Sequence, residues 1–255
     1  MRISDCGFRN PHSAIRNGLR AKLALGVHMV GPSAGALRNT CGSTVLAVMA
    51  RYPAVGAVKT RLAESIGAPR ACELYRAFLQ DIEAGFAHGP RPFVWVFHPP
   101  ESDFAALVAP GVRCLPQAGG DLSERLHNCV RTLVDDGFER VIVIGADVPH
   151  VRDAWLDEAE QQLDTADVVL GPSDDGGYYL VGMRAAHDIF SGVAMGTTRV
   201  LEETLARAAA AGLGVHLLPQ SFDIDAAADL DRLRRLIDDG STWLPHTAAA
   251  LRRWK

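Results

Sequence analysis

Arg140 to Gly145 (RVIVIG) is the feature that most narrows the folds open to this chain. From Val141 to Ile144 it is continuously apolar, with no polar residue alternating through it. A strand of that kind is buried on both faces, which requires a sheet covered by helices on either side. Thr44 to Ala50 (TVLAVMA) and Phe93 to Phe97 (FVWVF) are runs of the same character. Between the runs the apolar spacing changes to that of helices. Pro69 to Phe86 puts Leu74, Phe78, Leu79 and Ile82 on one face, with Pro69 suited to a first helical turn. Asp121 to Val134 does the same with Leu122, Leu126, Cys129, Val130 and Leu133. Helices are also expected over Asp103 to Val108, Trp155 to Leu163, Arg199 to Ala211 and Ala226 to Ile237. Strands are expected over Val112 to Leu115, Asp167 to Leu170, Tyr178 to Met183 and Gly214 to Leu218, and Arg51 to Leu62 reads as a loop. Strands alternating with helices specify an α/β fold, doubly wound on a mostly parallel sheet.

At 255 residues and 48% hydrophobic, the chain can bury one large core, and one domain over 44–255 is the expectation. Residues 1–43 differ: they are basic, nearly free of acids and interrupted by Gly and Pro, and read as a dispensable or weakly ordered extension. The net charge of −4, without a basic stripe, argues against nucleic acid as partner. No apolar run approaches the roughly 20 residues that span a bilayer, so no membrane partner is expected. The five cysteines form no C-x-x-C pair and are odd in number, as suits thiols in a reducing cytoplasm.

Four stretches could carry chemistry. The loop RYPAVGAVKTRLA leaves the first strand, where open α/β sheets bind ligands. Its Gly56 permits close backbone approach to an anion, and Lys59 and Arg61 add positive charge suited to phosphate. In GADVP, Asp147 follows the strongest strand and is placed for Mg²⁺, which takes one or two carboxylates with phosphate and water oxygens; capping the next helix is the plainer alternative. In FDIDAAADL, Asp223 and Asp225 alternate, so on an extended segment only one of them faces a given site, and Asp225 also stands where an N-cap is expected. GPSDDGGYYL joins two acids and two glycines to two tyrosines, either as an acceptor pocket or as a hairpin turn. Gly120 and Asp121 of GGDLSERL open a helix whose N-terminus suits an anion or ribose, although capping alone accounts for Asp121. The chain has no H-x-x-x-H pair, no G-x-S-x-G elbow and no P-loop, which leaves zinc hydrolysis, serine hydrolysis and P-loop kinase chemistry without support.

The stretches RYPAVGAVKTRLAESIG, GGDLSERL, GADVPHV, GPSDDGGYYLVGM, TTRVLEETL, FDIDAAADLDRL and WLPHTAAALRR, in this order, resemble a bacterial family of GT-A-superfamily proteins. That family is often labelled arsenosugar-biosynthesis glycosyltransferase and is related to the phospholactate guanylyltransferases. The resemblance runs from about Thr44 to the C-terminus. It implies a nucleotide-diphospho-sugar transferase (GT-A) fold, with Lys59, Arg61 and Asp147 as catalytic residues. It implies a donor nucleotide held by Ala50, Arg51, Pro53, Gly56, Lys59 and Arg61 together with Gly120 and Asp121. It further implies Mg²⁺ or Mn²⁺ on Asp147 and Asp225, and a small-molecule acceptor at Asp174, Asp175, Gly176, Gly177 and Tyr178. The sequence departs from the family pattern at Arg51, at Val55, at Ser123 and over Met195 to Thr197. Two enzyme readings share this site. One is nucleotidyl transfer from a nucleoside triphosphate to a phosphorylated or carboxylate acceptor; the other is glycosyl transfer from a nucleotide-sugar. A non-catalytic nucleotide-binding protein is the third alternative.

Overall fold

The computed structural model describes residues 43–254, and the expected extension therefore lies almost wholly outside the described residues. The sheet has seven strands: β1 (Thr44–Arg51), β2 (Phe93–His98), β3 (Arg113–Pro116), β4 (Arg140–Gly145), β5 (Val168–Pro172), β6 (Tyr178–Met183) and β7 (Val215–Leu217). Their order is β3-β2-β1-β4-β6-β5-β7. All neighbours are parallel except β6, which runs antiparallel to both β4 and β5.

Side-chain alternation along β1 and β4 divides the core into two layers. Leu46, Val48, Ile142 and Ile144 face one layer, with Trp95 and Phe97 of β2. Helices α1 (Thr60–Ile66), α2 (Ala68–Phe86), α4 (Asp153–Gln162), α6 (Ala227–Asp238) and α7 (Pro245–Arg252) cover it through residues such as Leu62, Phe78, Leu156, Leu233 and Leu251. Val45, Ala47, Val141 and Val143 face the other layer, under α3 (Leu122–Asp135) and α5 (Val200–Ala210). A strand that must satisfy both layers has no face to spare for polar residues, which is why RVIVIG is uniformly apolar.

The structure departs from the sequence expectation at three elements. Asp103 to Val108 forms only a short 3-10 turn, Phe104–Leu107, because Val108 is already extended and Pro110 follows. The end of the expected loop is helical: α1 begins at Thr60, and its 7 residues with a single buried side chain, Leu62, are too few to show a period. The third is α7, whose Ala-rich sequence gives only a weak apolar stripe. Two backbone N–H groups at its start, those of His246 and Thr247, donate to the buried Asp81 carboxylate of α2 at 2.9 and 2.8 Å. Asp81→Ala should therefore lower unfolding stability by about 1–3 kcal/mol, the cost of leaving those donors unpaired, as read from urea denaturation; an unchanged midpoint would show that water replaces the carboxylate.

Among the described residues Cys72, Cys114 and Cys129 are free thiols. No helix among them is long and apolar enough to cross a membrane.

Candidate active site

The carboxyl ends of β1, β2 and β4 open onto a cleft of about 610 Å³. Ala50 and Arg51 line it from the end of β1, Lys59 and Arg61 from the start of α1, and Asp147 from the turn after β4. Asp223 and Asp225 line it from the segment before α6, and Asp175, Gly177 and Tyr178 from the turn between β5 and β6.

Lys59 stands at its centre. It occupies the N-cap of α1 with φ 51° and ψ 44°, and among the described residues it is the non-glycine residue with positive φ. That conformation costs a lysine of order 1 kcal/mol, and the surrounding packing holds it. The side chain is only 2% exposed. Its Nζ lies 6.0 Å from the Tyr75 ring centre and 5.9 Å from that of Phe78. It donates to Asp225 Oδ1 at 3.0 Å and forms an ion pair with Asp147 Oδ1. Burial by itself pushes the Lys59 pKa down, but the charges of Asp147 and then Asp225 outweigh it and leave the pKa above the ordinary lysine value. The ammonium therefore stays charged beneath two carboxylates that are themselves 49% and 41% exposed.

Local backbone chemistry frees both carboxylates for this contact. Asp147 caps no helix, since α4 begins only at Asp153 with Arg152 at its N-cap. Its carbonyl accepts from Ile224 N–H at 3.0 Å, tying the turn after β4 to the Asp223–Asp225 segment. Asp225 is not the N-cap of α6 either. The Asp229 carboxylate reaches back instead, accepting from the N–H groups of Asp225 at 3.1 Å and Ala226 at 2.8 Å, so the Asp225 side chain is left to Lys59. The expectation that only one of Asp223 and Asp225 faces the site is corrected here: both line the cleft. The segment is not a regular strand, and the alternation rule applies only to a pleated one. Asp223 accepts from Ser173 Oγ at 3.2 Å. Burial first, then the charges of Asp147 and Asp175, push its pKa up to about 7, with Lys59 offsetting part of the rise.

The turn after β5 is a hairpin turn and a cleft wall at once. Ser173 N–H donates to Gly177 O at 3.0 Å, and Asp175 accepts from Gly177 N–H at 2.9 Å. Gly176, at φ +89°, packs so tightly that a Cβ would stand 2.0 Å from Thr198 O. Its carbonyl accepts from Leu201 N–H at the start of α5 at 2.9 Å, which makes this turn rigid.

Other expected site residues lie off the cleft wall. Pro53 is buried, and its carbonyl accepts from Arg76 at 2.8 Å; Gly56 is an exposed bend at φ +81°. Asp121 caps α3 by accepting from Glu124 N–H at 2.9 Å, while Glu124 accepts from Gly120 N–H at 2.7 Å. Asp174 pairs with Arg232, and Gly176 faces Thr198. Sequence reading did not single out Tyr75, His98, Gln117 or Arg125, all of which line the cleft. Tyr75 sits on the inward face of α2 like any core aromatic, and its hydroxyl accepts from Arg51 N–H at 2.9 Å. Gln117 is buried, and its Nε2 donates to Val96 O at 2.8 Å and Ala50 O at 3.3 Å. Burial, then Arg125 and Arg51, hold the His98 pKa below its ordinary value, a sign of the positive charge at that end of the cleft.

A family described as "Uncharacterized protein conserved in bacteria (DUF2064)" matches residues 83–197. No curated protein matches the chain. Among solved structures, a protein of Desulfovibrio desulfuricans G20, provisionally named a nucleotide-diphospho-sugar transferase, is 33% identical at a TM-score of 0.78, with 83% of this chain and 95% of that one covered. A 4-diphosphocytidyl-2C-methyl-D-erythritol synthase is 16% identical at a TM-score of 0.50, covering 77% and 98% of the two chains. A cytidylyltransferase of Leptospira borgpetersenii is 13% identical at 0.50, covering 83% and 93%. The latter two share the fold alone. Identity over nearly the whole of the Desulfovibrio chain goes further: this chain belongs to the same family as that protein, on the nucleotide-diphospho-sugar transferase fold.

Proposed function

We propose that the protein is a nucleotidyltransferase, passing a nucleoside monophosphate from a nucleoside triphosphate to a small phosphorylated or carboxylate acceptor. The observation that carries this reading is the pairing within one cleft of three arginines, the exposed Arg51 and Arg61 and the half-buried Arg125, with two half-exposed carboxylates on one buried ammonium. The cations suit phosphates, and the carboxylates suit the hard cation that accompanies them. A volume of about 610 Å³ is that of a small-molecule site.

The residues fit a divalent ion that arrives with substrate oxygens. Among the described residues no group of three or more His, Cys, Asp or Glu could hold a metal alone. Asp147 and Asp225 supply two carboxylates, and Lys59 engages only Oδ1 of each. Mg²⁺ or Mn²⁺ held there would offset negative charge developing on the phosphates. Arg61, 74% exposed and 4.0 Å from Asp225 Oδ2, is placed to grip the outgoing phosphates. In the transfer an acceptor oxyanion forms a bond to the α-phosphorus, the bond from that phosphorus to the bridging oxygen breaks, and pyrophosphate leaves with the electron pair. An oxyanion acceptor has no proton to lose, so this reading asks for no general base. The rigid turn at Asp175, Gly177 and Tyr178 would form the acceptor wall. Glycosyl transfer from a nucleotide-sugar is the second reading, favoured by the name of the Desulfovibrio relative.

Thermal unfolding with GTP, CTP, UDP-glucose and GDP-mannose, each with and without Mg²⁺, tests the proposal. A triphosphate should raise the midpoint, and more so with Mg²⁺, because ligands of the native state stabilise it by mass action. A rise with the nucleotide-sugars alone would give first place to glycosyl transfer. No rise with any of the four would leave the nucleotide site without support.

A further inference from the structure

We propose that Lys59 is a positioning residue that acts as a built-in counter-cation, holding Asp147 and Asp225 in place and opposing the binding of free divalent metal until an anionic nucleotide brings the metal in. The inference rests on the metal reading above and concerns what Lys59 adds to it.

Three observations carry it. The Lys59 side chain is 2% exposed, so its ammonium is covered where a phosphate-gripping lysine would reach into solvent. Its Nζ contacts one oxygen of each carboxylate, Oδ1 of Asp147 and Oδ1 of Asp225, whereas the carboxylates are themselves open to the cleft. It rises from the left-handed backbone of the N-cap, and its buried ammonium lies 6.0 and 5.9 Å from the centres of the Tyr75 and Phe78 rings, so it does not swing freely away. A cation fixed in contact with both ligands lowers the negative potential that would attract a second cation, and in a partly buried site this opposition is far stronger than in water. Arg61, 4.0 Å from Asp225 Oδ2, adds to it from the solvent side. A nucleotide's phosphates reverse the balance, because their charge offsets the arginines while their oxygens complete the coordination of the metal. The consequence is a site that takes metal and nucleotide together and does not fill with metal alone.

The test is binding of MnCl2 to the full chain without nucleotide, by titration calorimetry and by the electron paramagnetic resonance of free Mn²⁺. Lys59→Met keeps the length and apolar stem and removes the charge. Its Mn²⁺ affinity should rise at least tenfold over wild type, while Lys59→Arg, which restores a cation, should bind Mn²⁺ as weakly as wild type does. A merely structural role predicts the opposite sign, since a loosened site binds metal less well. If Lys59→Met unfolds too readily to titrate, Lys59→Gln serves, and the rise of its thermal midpoint on adding MnCl2 should exceed that of wild type. Equal or weaker Mn²⁺ binding by the uncharged variants overturns the inference. The variant Asp147→Asn in the Lys59→Met background separates the two ideas. If the second substitution abolishes Mn²⁺ binding, the metal reading stands whatever Lys59 does; if it changes nothing, the metal is not on these carboxylates and both fall.

Discussion

Asp147→Asn is expected to lower turnover by about a thousandfold or more while the fold persists. The amide has the shape of the carboxylate and can still accept from Lys59, so the turn after β4 and its backbone tie to Ile224 should survive. The negative charge is lost, and a hard cation selects charged oxygen ligands. A metal is worth several kcal/mol of transition-state charge stabilisation, and each 1.36 kcal/mol is tenfold in rate. Lys59 would retain Asp225 as a charged partner at 3.0 Å, so the variant does not bury an unpaired ammonium, and it should show near-native circular dichroism. The measurement is kcat/KM with whichever triphosphate stabilises the wild type, at saturating Mg²⁺. Activity within tenfold of wild type would remove Asp147 from the metal, and with it the site as proposed.

The sheet was legible in the sequence because of one constraint. Four-residue runs such as Val141 to Ile144 have no polar face, and only a sheet covered on both sides accepts them, which is what the two core layers supply. The antiparallel direction of β6 followed less openly. It depends on the hairpin turn at Ser173 to Gly177, and Asp-Asp-Gly-Gly reads equally well as a turn or as a binding loop. The structure makes it a hairpin turn whose Asp175, Gly177 and Tyr178 line the cleft. Helix α1 was hidden because 7 residues with one buried side chain have no measurable period. Within the site, Asp147 and Lys59 could be picked out by type and position after strands, but their contact could not, for it depends on a positive φ at a lysine. Nor could the release of Asp225 from capping, which turns on Asp229 reaching back four residues. Tyr75 has the helical spacing of a core aromatic and Gln117 carries no signal in the sequence; both are buried, and only the three-dimensional structure puts them on the cleft wall.

Asp223→Asn is expected to stabilise the protein in alkaline solution and to do little for it in acid. In the folded chain, burial and then the neighbouring charges of Asp147 and Asp175 raise the Asp223 pKa to about 7 from an ordinary value of 3.8. The folded state therefore holds a proton over a pH range in which the unfolded state has already lost it. Stability rises with pH where the unfolded state binds more protons, so here the sign is reversed. Asp223 costs nothing below about pH 4. Its ionisation erodes stability as the pH climbs from there to about 7, and the full cost is present above that. At 1.36 kcal/mol per pKa unit, a rise of about three units sets an upper bound of about 4 kcal/mol, and partial exposure of the residue reduces it. Asparagine does not ionise and can still accept from Ser173 Oγ, now at 3.2 Å from the carboxylate. Urea unfolding of both proteins at pH 5 and pH 8, with chelator present, provides the comparison. The variant should gain at least about 1 kcal/mol over wild type between the two pH values, measured as the difference of differences so that pH effects elsewhere cancel. A wild type whose advantage over the variant grows with pH would mean that the Asp223 carboxylate is stabilised in its charged form, with Lys59 outweighing burial and the two neighbouring acids.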